Sequence, residues 1–69
     1  MYQLDMTARQ IKRLLEAEGF ELVKVRGSHH HDQKGRVRTI LPFHSGEVPG
    51  GTAKSILAAV DRAREDEGR

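Results

Sequence analysis

"FELVKVRGSHHHDQKGRVRTILPF", residues 20–43, decides the fold. It falls into three short runs separated by glycine-centred breaks. "FELVKVR" is rich in β-branched and aromatic residues and lies between Gly19 and Gly27, which reads as a strand. "SHHHDQ" reads as a second strand, ended by a turn at Lys34-Gly35. In "RVRTILPF", Val37, Thr39, Leu41 and Phe43 alternate onto one face and Arg38 and Ile40 onto the other, the period-2 signature of a third strand. Pro42 has no N–H to give a ladder, so it belongs at a sheet edge or at its strand's end. In the first run Phe20 and Leu22 share one parity and Val23 and Val25 the other, which calls for a bulge or a two-sided environment.

Both flanks of this block read as helix. Thr7 followed by Gln10 is a capping-box spacing, in which each side chain satisfies a free N–H of the first turn. Ile11, Leu14 and Leu15 recur at helical spacing, bracketed by Ala8 and Glu18, and Gly19 is placed to end the helix in the left-handed conformation. "HSGEVPGG" is a loop by composition. A second helix is expected from about Thr52, with Ala53, Ile56, Leu57 and Val60 as its apolar stripe. The resulting order, α-β-β-β-α, predicts an α+β fold with two helices packed on one face of a three-stranded antiparallel sheet. No repeat or linker divides the chain, so residues 1–69 are read as one domain. Residues 1–6 are read as a non-essential extension and 61–69 as a charged tail that frays for want of an apolar face.

A chain of 69 residues buries only about 60% of its unfolded surface, so its stability margin is thin. It has no cysteine, which excludes a disulfide framework and a Cys/His zinc scaffold. No apolar run resembles a signal peptide or approaches a membrane span, and the expected compartment is the cytoplasm. Net charge is only +2, yet Lys24, Arg26, Lys34, Arg36 and Arg38 gather against the single Asp32. A localised cationic surface of this kind suits an anionic partner, nucleic acid first.

Gly-Ser-His-His-His looks like the remnant of an affinity tag, but tags sit at chain ends and this run lies between two strands. On a strand, His29 and His31 share one face and His30 takes the other. A metal reading would use His29 and His31 with Asp32 or His44, but zinc asks for three or four tetrahedral ligands and the spacing sets only two. No cofactor is expected. A bland reading makes the imidazoles surface donors. A catalytic reading makes one of them a general base: at an ordinary pKa of about 6.5 it is mostly neutral at pH 7. It would take the proton of a ribose 2′-OH while Arg and Lys hold the phosphate.

"TARQIKRLLEAEGFELVKVRGSHHH" followed by "RTILPFHSGEVPGGTAKSIL" resembles the HicA toxin family of bacterial toxin–antitoxin systems. The ordered features are a helix ending in Gly-Phe, a strand, Gly-Ser-His, a strand ending Pro-x-His, and Gly-Thr-x-x-Ser-Ile-Leu opening the last helix, over residues 7–58. The resemblance implies a double-stranded-RNA-binding-domain-like fold, an mRNA interferase activity and a HicB-type antitoxin. It makes His29 the catalytic histidine and Gly27 the motif glycine, where a side chain would crowd an approaching substrate. His44 falls at the Pro-x-His position. The chain departs from the pattern at Asp32, where relatives carry an aromatic or apolar residue, and after Leu57, where the usual Ala-Gly-Leu ending is replaced.

The site expected from the sequence therefore has His29 as general base, and His31 or His44 as second proton donor unless solvent serves. Gly27, Ser28, Lys24, Arg26, Arg36, Arg38 and Lys54 are the expected RNA contacts. The expected partners are mRNA, single- or double-stranded, and an antitoxin, with self-association left open. The competing reading is a small RNA-binding module that uses the same basic face without catalysis.

Overall fold

The computed structural model describes residues 6–43 and 47–68. Its elements are α1 (Ala8–Ala17), β1 (Glu21–Arg26), β2 (His29–Lys34), β3 (Val37–Pro42) and α2 (Gly50–Glu67), in the expected α-β-β-β-α order. The strands form one antiparallel sheet in the order β1-β2-β3.

α1 starts where the capping box predicts. The Thr7 N–H donates to Gln10 Oε1 at 2.9 Å, and the Gln10 N–H donates to Thr7 Oγ1 at 3.2 Å. It ends in a Schellman motif at Gly19, whose φ is +94°. There the Phe20 N–H reaches the Leu15 carbonyl at 2.9 Å and the Gly19 N–H reaches that of Glu16 at 3.0 Å. Leu15 and Phe20 both belong to the buried core.

Two-residue turns, Gly27-Ser28 and Gly35-Arg36, join the strands. Gly27 has φ +59°, and a Cβ built on it would meet nothing within 4 Å of it. Within the protein it is therefore backbone conformation, rather than crowding, that calls for glycine: a positive φ at the first turn residue is the type II′ requirement. Pro42 satisfies both expectations for it, as the last residue of β3 and on an edge strand.

The core lies between β3 and the helices. Val37 and Leu41 of β3 meet Ala8, Ile11 and Leu15 of α1 and Ala53, Ile56, Ala59, Val60 and Ala63 of α2. The alanines let α2 approach the sheet closely. The tail expected to fray is instead helical to Glu67. Ala63 is buried, Arg64 holds Glu18 through two hydrogen bonds at 3.0 and 2.6 Å, and Lys34 pairs with Glu67. Lys34 Nζ also donates to the Glu18 carbonyl at 2.6 Å, so one lysine ties the C-terminal ends of both helices. Met6, read as part of a dispensable extension, packs against the core, and its carbonyl accepts from the Val48 N–H at 2.8 Å.

Candidate functional site

The sheet has one face under the helices and one face open, and register decides which side chain goes where. Val37, Thr39 and Leu41 are buried, so β3 residues of that parity face inward. Their partners on β2 are Lys34, Asp32 and His30. Outward go Arg38, Ile40 and Pro42, with Gln33, His31 and His29 as their β2 partners.

On β1 the register shifts between Leu22 and Lys24, leaving Val23 as the extra residue of a bulge. This is the bulge that the mixed parity of "FELVKVR" calls for, and it re-aims the strand. Leu22 pairs with Asp32 on the inner side; past the bulge Lys24 pairs with His31 and Arg26 with His29, both outward. Without the extra residue Lys24 and Arg26 would face the helices, because a one-residue slip reverses every later side chain.

The open face thus brings together His29, His31, Lys24, Arg26 and Arg38. His29 is exposed and sits directly across from Arg26. Gln33 fixes Arg38: its Oε1 accepts from Arg38 Nη2 at 3.0 Å and from Nε at 3.3 Å. The pKa of His31 lies below the ordinary histidine value, chiefly through burial of its ring and then through the charges of Lys24, Arg38, His29 and Arg26. Its Nδ1 is buried without a hydrogen-bond partner. An imidazolium has two N–H donors to satisfy, so this position favours neutral imidazole.

The remaining histidines, basic residues and motif residues singled out in the sequence fall elsewhere. His30 faces inward and stacks on Phe43, with ring centroids 4.6 Å apart and planes 16° from parallel. Lys34 also faces inward, tied to Glu18 and Glu67. Ser28 lies in the first hairpin turn, where its carbonyl accepts from the Phe43 N–H at 2.6 Å. Arg36 lies in the second turn. Lys54 is exposed on α2 opposite the buried stripe, away from the open sheet face. His44 lies outside the described residues.

Asp32 is buried, at 1% exposure, on the helix side of the sheet. Its partner there is Lys12 of α1, with Oδ1 3.4 Å from Nζ, while Oδ2 has no hydrogen-bond partner. Asp32 therefore cannot complete a metal set with His29 and His31, whose side chains point the other way. Among the described residues no three His, Asp or Glu side chains lie close enough to hold a metal ion.

Sequence reading missed Gln33 as a member of the open face, and it placed Ile40 on the face of Arg38 without counting it as part of the site's floor. Their parity with His31 and Arg38 is the signal that finds them, once the β2–β3 register is known. The segment from Asp61, expected to fray, is helical to Glu67 and brings Arg62 beside Arg38 and Thr39 at the edge of β3. Helix-forming composition from Asp61 onward is the signal there.

A family model described as the HicA toxin of bacterial toxin–antitoxin systems matches residues 8–61, from the start of α1 through most of α2. No curated protein matches the chain.

Proposed function

The chain belongs to the HicA toxin family, making it a toxin paired with an antitoxin, and from that premise we propose that it is a metal-independent endoribonuclease that cleaves mRNA. The observation that carries this reading is the open sheet face, where the exposed His29 stands among Arg26, Lys24, Arg38 and His31. In the proposed step, His29 takes the proton of a ribose 2′-OH and the 2′-oxygen attacks the adjacent phosphorus. The bond to the 5′-oxygen breaks, leaving a 2′,3′-cyclic phosphate on one fragment and a 5′-OH on the other. Arg26, Lys24 and Arg38 stabilise the charge that builds on the phosphate oxygens.

The departing 5′-oxygen also needs a proton. The lowered pKa of His31 argues that at neutral pH it is a neutral neighbour rather than the acid, which leaves His44 or solvent to give the proton. A HicB-type antitoxin that silences by blocking would cover this same face. Cytoplasmic action fits an mRNA substrate, and among the described residues no helix is long and apolar enough to cross a membrane.

The test compares wild type with His29→Ala, in excess EDTA, for RNA binding and RNA cleavage. A general base contributes about 10²- to 10⁴-fold. The variant is expected to bind RNA as wild type does and to lose cleavage by that factor. Equal cleavage by both proteins would remove His29 from the role, and activity restored only by a divalent ion would make the enzyme a metal-dependent one. Binding without cleavage by either protein would favour a non-catalytic RNA-binding module.

A further inference from the structure

Two hydroxyls of the Gly-Thr-x-x-Ser motif, Thr52 and Ser55, and the arginine of the unexpectedly ordered helix end, Arg62, have no part in the chemistry above. They meet at one place. Thr52, Ser55 and Arg62 line a groove of about 360 Å³ together with Arg38, Thr39 and Ile40 of β3.

The placement follows from the helix. Residues three and seven apart lie on one stripe, so Thr52, Ser55 and Arg62 run down one flank of α2. This flank faces β3, whose other edge pairs with β2 and whose near edge is unpaired in the sheet. Ser55 and Arg62 are separated by about 10 Å of helix rise, so the stripe is extended rather than a point.

The chemistry is that of a phosphodiester site. Two guanidiniums and three hydroxyls line the groove, with no carboxylate among the lining residues. Guanidinium forks and hydroxyl donors are the groups that hold phosphate oxygens without reading a base. The neighbouring arginine, Arg64, is committed to Glu18, whereas Arg62 makes no ion pair among the described residues.

The groove also begins where the open face ends. Arg38 and Ile40 border both: they pair with Gln33 and His31 on β2 and line the groove over the edge of β3. A strand leaving the histidines across β3 meets Arg38 first and Arg62 next. We propose that this groove holds the phosphate backbone of single-stranded RNA on its way from the open sheet face, with Arg38, Arg62, Thr52 and Ser55 as its contacts. The proposal rests on the ribonuclease reading and adds the path of the substrate strand.

The test measures binding of a short single-stranded RNA against salt in the His29→Ala chain, with Arg62→Gln, Arg62→Lys and Arg13→Gln added in turn, and KM and kcat in the His29-containing chain. Arg13 is exposed on α1 and gives the same change of charge elsewhere. Arg62→Gln is expected to weaken binding about 3- to 10-fold and to reduce the log–log salt slope by about 0.7, one phosphate on a single strand. KM should rise with kcat unchanged, Arg62→Lys should recover the slope, and an unchanged melting curve should show that the fold is intact. Arg62→Gln with wild-type affinity and slope, or no greater effect than Arg13→Gln, overturns the groove and leaves the nuclease reading standing. Cleavage by His29→Ala equal to wild type removes the assigned base while the Arg62 comparison still decides the groove.

Discussion

His31 occupies the centre of the open face with Lys24 beside it on β1 and Ile40 on β3. Burial and the cations around it oppose a charge on its ring, and the unpartnered Nδ1 leaves one imidazolium donor with nothing to bond. The unfolded chain therefore binds a proton here at a pH where the folded chain does not. Stability is expected to be full above the unfolded histidine pKa of about 6.5 and to fall as pH drops from there through the lowered folded value. Urea denaturation across that window, on wild type and His31→Gln, checks this. The variant should show a shallower loss of stability with acid, and an identical slope would mean that His31 titrates alike in both states. The same lowered pKa bears on catalysis, because it keeps His31 uncharged beside His29 at the pH where His29 would act as base.

The Lys12–Asp32 contact joins α1 to the central strand, as Lys34–Glu67 joins α2 to it at the strand's end, but only the former has a fully buried carboxylate. Asp32 stands buried on the inner face, with Leu22 and Thr39 as its cross-strand partners. One of its oxygens is unpartnered and the other lies 3.4 Å from a lysine that is itself partly exposed. Such a pair repays little of the cost of taking a carboxylate out of water, but removing one partner leaves that charge stranded. Lys12→Met alone is expected to destabilise by a few kcal/mol, up to about 3–5 kcal/mol for a fully buried pair and less here because Lys12 reaches solvent. Adding Asp32→Leu should recover the loss or exceed wild type by about 1–4 kcal/mol. Denaturant unfolding of the two variants decides it. A double variant no more stable than the single one would mean that the inner face has no room for a larger apolar side chain at position 32.

At the scale of the molecule, the helices cover β3 and leave β1 standing clear. All six β1 residues are exposed, and Leu22 and Val25 remain 44% and 53% exposed although they lie on the helix side. What is legible in the sequence is what depends on local order: the alternation of Val37, Thr39 and Leu41, the Thr7–Gln10 cap, the Gly19 stop. What is not legible depends on partners far along the chain. Ala63 shows no apolar stripe until α2 lies on the sheet, and Lys12 and Asp32 find each other only across two elements. The shared face of Lys24, Arg26, His29 and His31 is half legible, since mixed parity announces a bulge without saying where the strand turns over. The bareness of β1 has a dynamic consequence. Its place in the sheet depends on the ladder to β2 and on little burial, so it belongs to the low-stability end of the fold, while β3 is held by the core. In native-state hydrogen exchange, the β1 amides that bond to β2 are expected to exchange by local opening, with little dependence on denaturant. The β2–β3 amides should exchange only through global unfolding, with the full denaturant dependence. If the amides of both ladders share one denaturant dependence, the sheet opens as a unit and β1 is held more firmly than its burial implies.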